Sequence, residues 1–238
     1  MIRFLRPFDP HRIRLLVFDL DGTLIDSRLD LIHSVNATLH HLGRPALDGD
    51  IIASFVGGGA PALIRRALGD VDTDSNNEDL LSRALQYFLG YYRVHKLDHT
   101  TVYEGIRETL AQLAKPSNGN RSASPPRQMT VLTNKPVHPS RDIINALGLA
   151  EFFVSVYGGN SFPTKKPDPH GVQTILRETG VEPEESLMIG DSSVDVMTGR
   201  NAGLWTCGVT YGFAPQTLKD VPPDVVVESP RELGELLS

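Results

Sequence analysis

The chain has 238 residues, 40% hydrophobic and 22% charged, with 23 basic against 29 acidic residues and a formal net charge of −6. That suits one large α/β domain or a domain carrying an insertion, and the acidic balance argues against a nucleic-acid-binding surface as the main function. The single Cys207 excludes an intrachain disulfide, and no apolar run approaches membrane-spanning length, so a soluble cytoplasmic protein is expected. The start, "MIRFLRPFDPHRIR", is Arg-rich without a signal-type apolar stretch and reads as a short tail.

"LLVF" (15–18) is continuous apolar sequence, the pattern of a strand buried on both faces. Asp19 stands at its end and Asp21 two positions on, so on an extended chain both carboxylates face one space. Two like charges held close are costly unless a proton or cation lies between them. Gly22 and Thr23 allow a sharp turn, and helical texture follows.

From Leu29 to His95 the spacing predicts helices only: Leu29, Ile32, Val35, Leu39 and Leu42 in the first, then "DIIASFV", "APALIRRALG" and "LLSRALQYFLGYYRVH". Gly57-Gly58-Gly59 breaks the second from the third; it follows a helix and is no dinucleotide fingerprint, but suits close approach of backbone to a small substrate. His95 and His99 stand four apart with no third ligand and read as surface or hinge residues. After Tyr103 strands and helices alternate to the end, which means a parallel sheet covered on both faces. The expected architecture is a doubly wound, Rossmann-like α/β core (1–26 and 100–238) with an inserted all-helical cap domain (27–99). "KPSNGNRSASPPRQ" (115–128) reads as a flexible loop without a function of its own.

Sites in open α/β sheets form at the carboxyl ends of the strands. Those ends carry Asp19; Thr133-Asn134; Lys165-Lys166 in the following loop; and Asp191 with Asp195. Singly, Thr133 could cap a helix and Lys166 could be a solvated loop residue, but four such coincidences favour a site. Several carboxylates around one point call for a hard cation, and oxygen-only ligands suit Mg²⁺. An aspartate can attack phosphorus, with a hydroxyl, a lysine and the cation offsetting charge and a second carboxylate transferring the proton.

DLDGT (19–23), LTN (132–134), KKPDP (165–169) and GDSSVD (190–195) resemble, in order and spacing, the four motifs of the haloacid dehalogenase superfamily, with the helical insertion where that superfamily carries a cap. Within it, "FVGGGAPALIRRAL", "LTNKP" and "GVTYGF" are most similar to the bacterial phosphoglycolate phosphatase family. The resemblance implies Asp19 as nucleophile and metal ligand, and Asp21 as general acid/base that ligates Mg²⁺ through its main-chain carbonyl. It implies Thr133 and Lys166 as phosphoryl binders, with Asn134, Gly57, Gly58 and Gly59 beside the substrate, Asp191 as metal ligand and Asp195 ordering the metal shell. It also implies a small phosphorylated metabolite as substrate; charge and hydropathy leave no nucleic-acid or membrane partner expected, and a monomer or homodimer is the expected state. The second acid, Asp21, favours phosphate chemistry over dehalogenation. The lack of lysine between Ser27 and Val94 removes a Schiff-base phosphonatase, and Ala60 stands where β-phosphoglucomutase-like enzymes carry an arginine. A phosphosugar phosphatase or mutase is the alternative, while the complete set of polar residues speaks against a non-catalytic binding module.

Overall fold

The computed structural model describes residues 1–69, 75–115 and 126–238. The chain opens with β1 (Arg3–Phe4), a short 3-10 turn and β2 (Leu15–Phe18), then β3 (Ile25–Asp26). Four helices follow: α1 (Arg28–His41), α2 (Gly49–Ser54), α3 (Ala60–Ala67) and α4 (Ser75–His95). Next come β4 (Thr101–Val102), α5 (Ile106–Leu113), β5 (Gln128–Leu132), α6 (Val137–Ala146), β6 (Ser155–Tyr157) and α7 (His170–Thr179). The chain ends with β7 (Ser186–Gly190), α8 (Ser193–Asn201), β8 (Trp205–Val209), β9 (Val225–Val227) and α9 (Pro230–Leu236).

The main sheet has the order β1-β9-β8-β7-β2-β5-β6, parallel throughout except for β1 against β9. From β2 the chain moves outward through β5 to β6, then returns to the other side of β2 for β7, β8 and β9. The winding therefore reverses at β2, and a crevice opens beyond its carboxyl end, where Asp19 stands. All four residues of β2 are buried. Leu16 and Phe18 enter the larger core with Ile106, Leu110, Ile143 and Leu233, while Leu15 and Val17 face a second cluster with Val172 and Ile175. A strand alternating between two apolar layers has to read as an unbroken hydrophobic run, which "LLVF" does.

The helices between β3 and β4 bury their own cluster, built around Val35, Leu39, Ile52, Leu63, Ile64 and Phe88. In α1 the buried face runs through Leu31, Val35, Thr38 and Leu39, and Leu29 is exposed. The hydroxyls of Ser34 and Thr38 donate to the carbonyls of Asp30 and Ser34, so small polar residues are accommodated on the inner face. Among the described residues between Leu29 and His95 there is no strand, and none of the described helices is long and apolar enough to cross a membrane.

Three details depart from the sequence reading. The N-terminal tail is tied down: Arg3 and Phe4 pair with Val226 and Val225 at the sheet edge. The apolar stretch "FFVSVYG" (152–158), which reads as a strand, gives only the three residues of β6, with Ala150–Phe152 turning as a 3-10 helix first. The insertion is also stitched at its base, since β3 and β4 pair antiparallel. Of the 115–128 loop, Gln128 starts β5 and residues 116–125 lie outside the described residues.

Asp30 reinforces that base. It is 1% exposed, and its Oδ2 accepts from the Thr100 amide at 2.8 Å and the Thr100 hydroxyl at 2.6 Å, while Oδ1 accepts from the His99 amide at 3.0 Å. Hydrogen bonds to a charged acceptor contribute about 1.5–3 kcal/mol each, and a buried donor left unmet adds its own cost. Asp30→Ala should lower Tm by about 5–10 °C. A fall of less than about 2 °C in a thermal melt would contradict this clamp.

Candidate active site

Asp19 continues β2 by donating its amide to the Ile189 carbonyl at 2.9 Å, so the two central strands fix its backbone. Its carboxylate Oδ1 accepts from Lys166 Nζ at 2.7 Å. The same Nζ lies 2.6 Å from Asp195 Oδ1, so one buried ammonium bridges two carboxylates. Burial pushes the Asp19 carboxyl up to about 6; Lys166 pulls it down and Asp195 pushes it up again. Burial works against the charge on Lys166, but Asp19 and Asp195 outweigh it and hold the ammonium above its ordinary range.

A second lysine–carboxylate pair stands beside the first. Lys135 Nζ donates to both Asp21 oxygens at 2.9 Å, and the Ser27 hydroxyl donates to Asp21 Oδ1 at 2.5 Å. Lys135 is buried and lies 4.7 Å from the centroid of the Tyr92 ring on α4. Burial opposes its charge too, with Asp21 and Tyr92 outweighing it. Gly22 makes the turn immediately after Asp21 with φ +80, and a Cβ there would come 2.4 Å from Asp191 Oδ2. Only glycine meets both demands.

Asp191 follows β7. Its Oδ2 accepts from the amides of Phe213 at 2.5 Å and Ala214 at 3.1 Å, in the loop after β8. Burial, then Asp195 and Asp19, raise its carboxyl to about 7. Asp195 sits in the first turn of α8, where Ser192 donates to its Oδ2 from both its hydroxyl at 2.7 Å and its amide at 3.2 Å in a capping box. Gly190 gives room for this, because a Cβ there would lie 2.2 Å from Asp195 Cγ.

Asp19, Asp191 and Asp195 each present an oxygen within 4.8 Å of the others, all three buried, with Lys166 as the ammonium in contact. Three carboxylates against one lysine leave negative charge to be offset, and the donors are all oxygen, so the residues fit a hard divalent cation. Asp21's side chain stands outside this trio and is held by Lys135.

The helical insertion covers the crevice. The cavity between them is walled on the insertion side by Val56, Ala60, Leu63, Phe88 and Leu89, and on the sheet side by Asp19, Asp21, Thr133 and Lys135 among others. Asn134 Nδ2 donates to the Gly57 carbonyl at 2.8 Å and to the Lys166 carbonyl at 3.0 Å, and Lys165 Nζ donates to the Gly58 carbonyl at 2.6 Å. The glycine loop thus docks the cover onto the sheet as a hydrogen-bond acceptor. Gly57 and Gly59 line the cavity; Gly58 is not part of its wall.

Asp19, Asp21, Thr133, Asn134 and Asp191 converge on this cavity, with Lys166 and Asp195 immediately behind Asp19. Lys135 was missed from sequence although it follows Thr133 by two positions in "LTNKP". Ser27 and the Phe213–Ala214 amides were missed as well; a backbone donor in a loop leaves no side-chain signal. The adjacent lysines divide between two tasks, Lys165 meeting the cover and Lys166 meeting Asp19. His95 pairs with Asp98 at 2.8 Å, away from this cavity.

Residues 16–209 match the family model described as haloacid dehalogenase-like hydrolase. The chain is 36% identical over 225 residues to the phosphoglycolate phosphatase of Chromobacterium violaceum, covering 94% of this chain and 96% of that one. It is 36% identical over 231 residues to the phosphoglycolate phosphatase of Vibrio parahaemolyticus, covering 95% and 96%. The crystal structure of a predicted phosphoglycolate phosphatase from Haemophilus somnus superposes with a TM-score of 0.84 at 26% identity, over 95% of this chain and 99% of that one. A β-phosphoglucomutase of Clostridium difficile shares the fold, with a TM-score of 0.74 at 21% identity over 93% of each chain. The match over most of the chain and the site at the end of β2 agree: the chain belongs to the haloacid dehalogenase-like hydrolase family.

Proposed function

We propose that this chain is a Mg²⁺-dependent phosphomonoester hydrolase of small organic phosphates, acting first on 2-phosphoglycolate to release glycolate and phosphate. The observation that carries the reading is the buried Asp19 at the switch-point strand end, in contact with Lys166 and roofed by a helical cover. Relatives named phosphoglycolate phosphatase over nearly the whole chain support the substrate. The cover wall is mostly apolar (Val56, Ala60, Leu63, Phe88, Leu89), with the Tyr92 hydroxyl as its polar side-chain group, which favours a compact acid over a hexose phosphate with several hydroxyls to meet.

In this reading the Asp19 carboxylate attacks phosphorus, the ester oxygen departs with a proton from Asp21, and an aspartyl phosphate forms. Asp21 then takes a proton from the water that attacks this phosphate, regenerating Asp19 and releasing inorganic phosphate. Thr133 and Lys166 hold the phosphoryl oxygens, Lys166 being kept in place by Asp195. Asp19 and Asp191, with the Asp21 carbonyl and Asp195, would hold Mg²⁺, which offsets the charge of the phosphoryl group. Residues 27–99 act as the cap domain over a core of 1–26 and 100–238, in a cytoplasmic monomer or homodimer.

Asp19→Asn keeps the shape but removes the attacking charge, so turnover of 2-phosphoglycolate should fall by at least about 10³-fold. Near-normal turnover in that variant would overturn the covalent route. Asp21→Asn should retain metal binding and accumulate phosphorylated enzyme, visible by intact mass after mixing with substrate. Failure to trap any phosphoenzyme, with metal affinity lost as in Asp191→Ala, would reverse the roles assigned to the acids.

Proton and cation compete for the carboxylates. A carboxyl raised to about 6 (Asp19) or about 7 (Asp191) in the folded state favours folding below its ordinary value near 4. That contribution is lost as pH rises through the folded values. The metal-free protein should therefore lose stability between about pH 4 and pH 7, and a cation bound to the ionised carboxylates should restore it. Saturating Mg²⁺ is expected to raise Tm by several degrees at about pH 8 and by much less at about pH 5. Equal shifts at both pH values would contradict binding at this trio.

A further inference from the structure

The pair Lys135–Asp21 does more than hold a carboxylate in place. Ser27 already donates to Asp21 at 2.5 Å, and a serine fixes a carboxylate without the desolvation cost of burying an ammonium whose side chain is 4% exposed. Among the described residues lining the cavity, Lys135 is the cation, facing Asp19, Asp21 and Asp191. Lys166 is held between Asp19 and Asp195, and the cover contributes apolar side chains and the neutral Tyr92 phenol. An anionic group carried by the substrate beyond its phosphate would meet carboxylates or neutral groups at the other lining residues, and a cationic side chain at Lys135.

Position agrees with charge. Lys135 Nζ touches both oxygens of Asp21, the residue placed at the ester oxygen above, and lies 4.7 Å from the Tyr92 ring on the cover side. A group joined to the ester oxygen by a short linker arrives beside this ammonium. An ammonium carries three N–H donors, and the Asp21 carboxylate offers two oxygens, so a third acceptor can be met without breaking the pair.

We propose that Lys135 is the specificity-determining residue for the leaving portion, binding a carboxylate carried two carbons from the scissile ester oxygen. The inference rests on the phosphatase reading and names the residue that recognises the carboxylate of its substrate. A neutral alkyl phosphate gains nothing from Lys135, whereas a carboxylate gains a charge-assisted hydrogen bond in a water-poor cavity. The rest of the cover wall is apolar apart from the Tyr92 hydroxyl, which suits a short substrate: a phosphorylated two-carbon acid.

The test compares kcat/KM for 2-phosphoglycolate and for ethyl phosphate, which lacks the carboxylate, with Mg²⁺ present. The wild type should prefer 2-phosphoglycolate by about 100-fold, and Lys135→Met should bring that ratio below about ten, mainly through KM. Any disturbance of Asp21 in the variant reaches both esters and cancels in the ratio, so a merely structural role for Lys135 leaves the ratio unchanged and overturns the proposal. Should Lys135→Met fail to fold, Lys135→Arg, which keeps the cation, must retain a preference above about ten; loss of preference in a folded, active Lys135→Arg counts against the proposal. Wild-type activity on both esters with equal kcat/KM overturns this inference while leaving the phosphatase intact. Inactivity of the wild type on both esters and on a chromogenic phosphate overturns the phosphatase reading itself.

Discussion

Three carboxylates, Asp19, Asp191 and Asp195, are buried within 4.8 Å of one another around a lysine that reaches two of them. Isolated buried charges of one sign would drive a fold apart or neutralise themselves by taking up protons, and Asp19 and Asp191 are accordingly raised toward neutrality. What makes the cluster tolerable is its surroundings. Backbone amides of Phe213 and Ala214 meet Asp191, Ser192 meets Asp195, and Lys166 joins Asp195 to Asp19. The amides come from the loop after β8, Ser192 from the end of β7 and Lys166 from the loop after β6, so the cluster forms only when these strands have assembled in register around β2. The electrostatic cost is borne by the whole sheet.

The same constraint explains where small residues are needed. Gly22 and Gly190 leave no Cβ because Asp191 and Asp195 occupy the space one would fill. A charged cluster this tight needs the backbone itself to approach the carboxylates. The twin acids of "DLDGT" end up in different electrostatic settings: Asp19 faces Lys166 and the other carboxylates, and Asp21 faces Lys135 and Ser27. One sequence motif thereby gives two carboxylates different neighbours, the condition for different chemical roles.

How much of this could be read from the chain differs by element. The strands were legible because β2, β5 and β7 are buried almost throughout: β2 is an unbroken apolar run, and β5 and β7 are mostly apolar, with Thr130 and Ser186 the buried polar exceptions. The acids, Thr133 and Lys166 were legible because polar residues at such strand ends have no packing role. β3 and β4 were not legible: two residues each, they pair across the whole insertion, and no local pattern encodes a contact between Ile25 and Val102. Leu29 misled because helical spacing alone does not say which stripe turns inward; Ser34 and Thr38 satisfy themselves on the helix backbone and let the Leu31–Val35–Leu39 face be buried. Lys135 was hidden by its type, since a lone lysine after a strand is most often solvated, and only the geometry puts it on Asp21. The glycine loop was legible as a place of close backbone approach; that its carbonyls accept from Asn134 and Lys165 was not.

Those contacts link the cover to the site. Asn134 adjoins Thr133 and Lys165 adjoins Lys166, so the two side chains that grip the Gly57 and Gly58 carbonyls are sequence neighbours of residues facing Asp19's surroundings. Asn134 also donates to the carbonyl of Lys166, so one amide group spans the cover, the end of β5 and the lysine loop. At the opposite end, Asp30 and the β3–β4 pair tie the insertion's two stems together. The cover is therefore held firmly at its base and by a few polar contacts at its tip. Such contacts exchange with water at little net cost, about 0.5–1.5 kcal/mol for a typical hydrogen bond. Opening would release the tip, free Asn134 from Gly57 and leave the base intact. A cover built this way can admit a substrate repeatedly while the carboxylate cluster below it stays assembled.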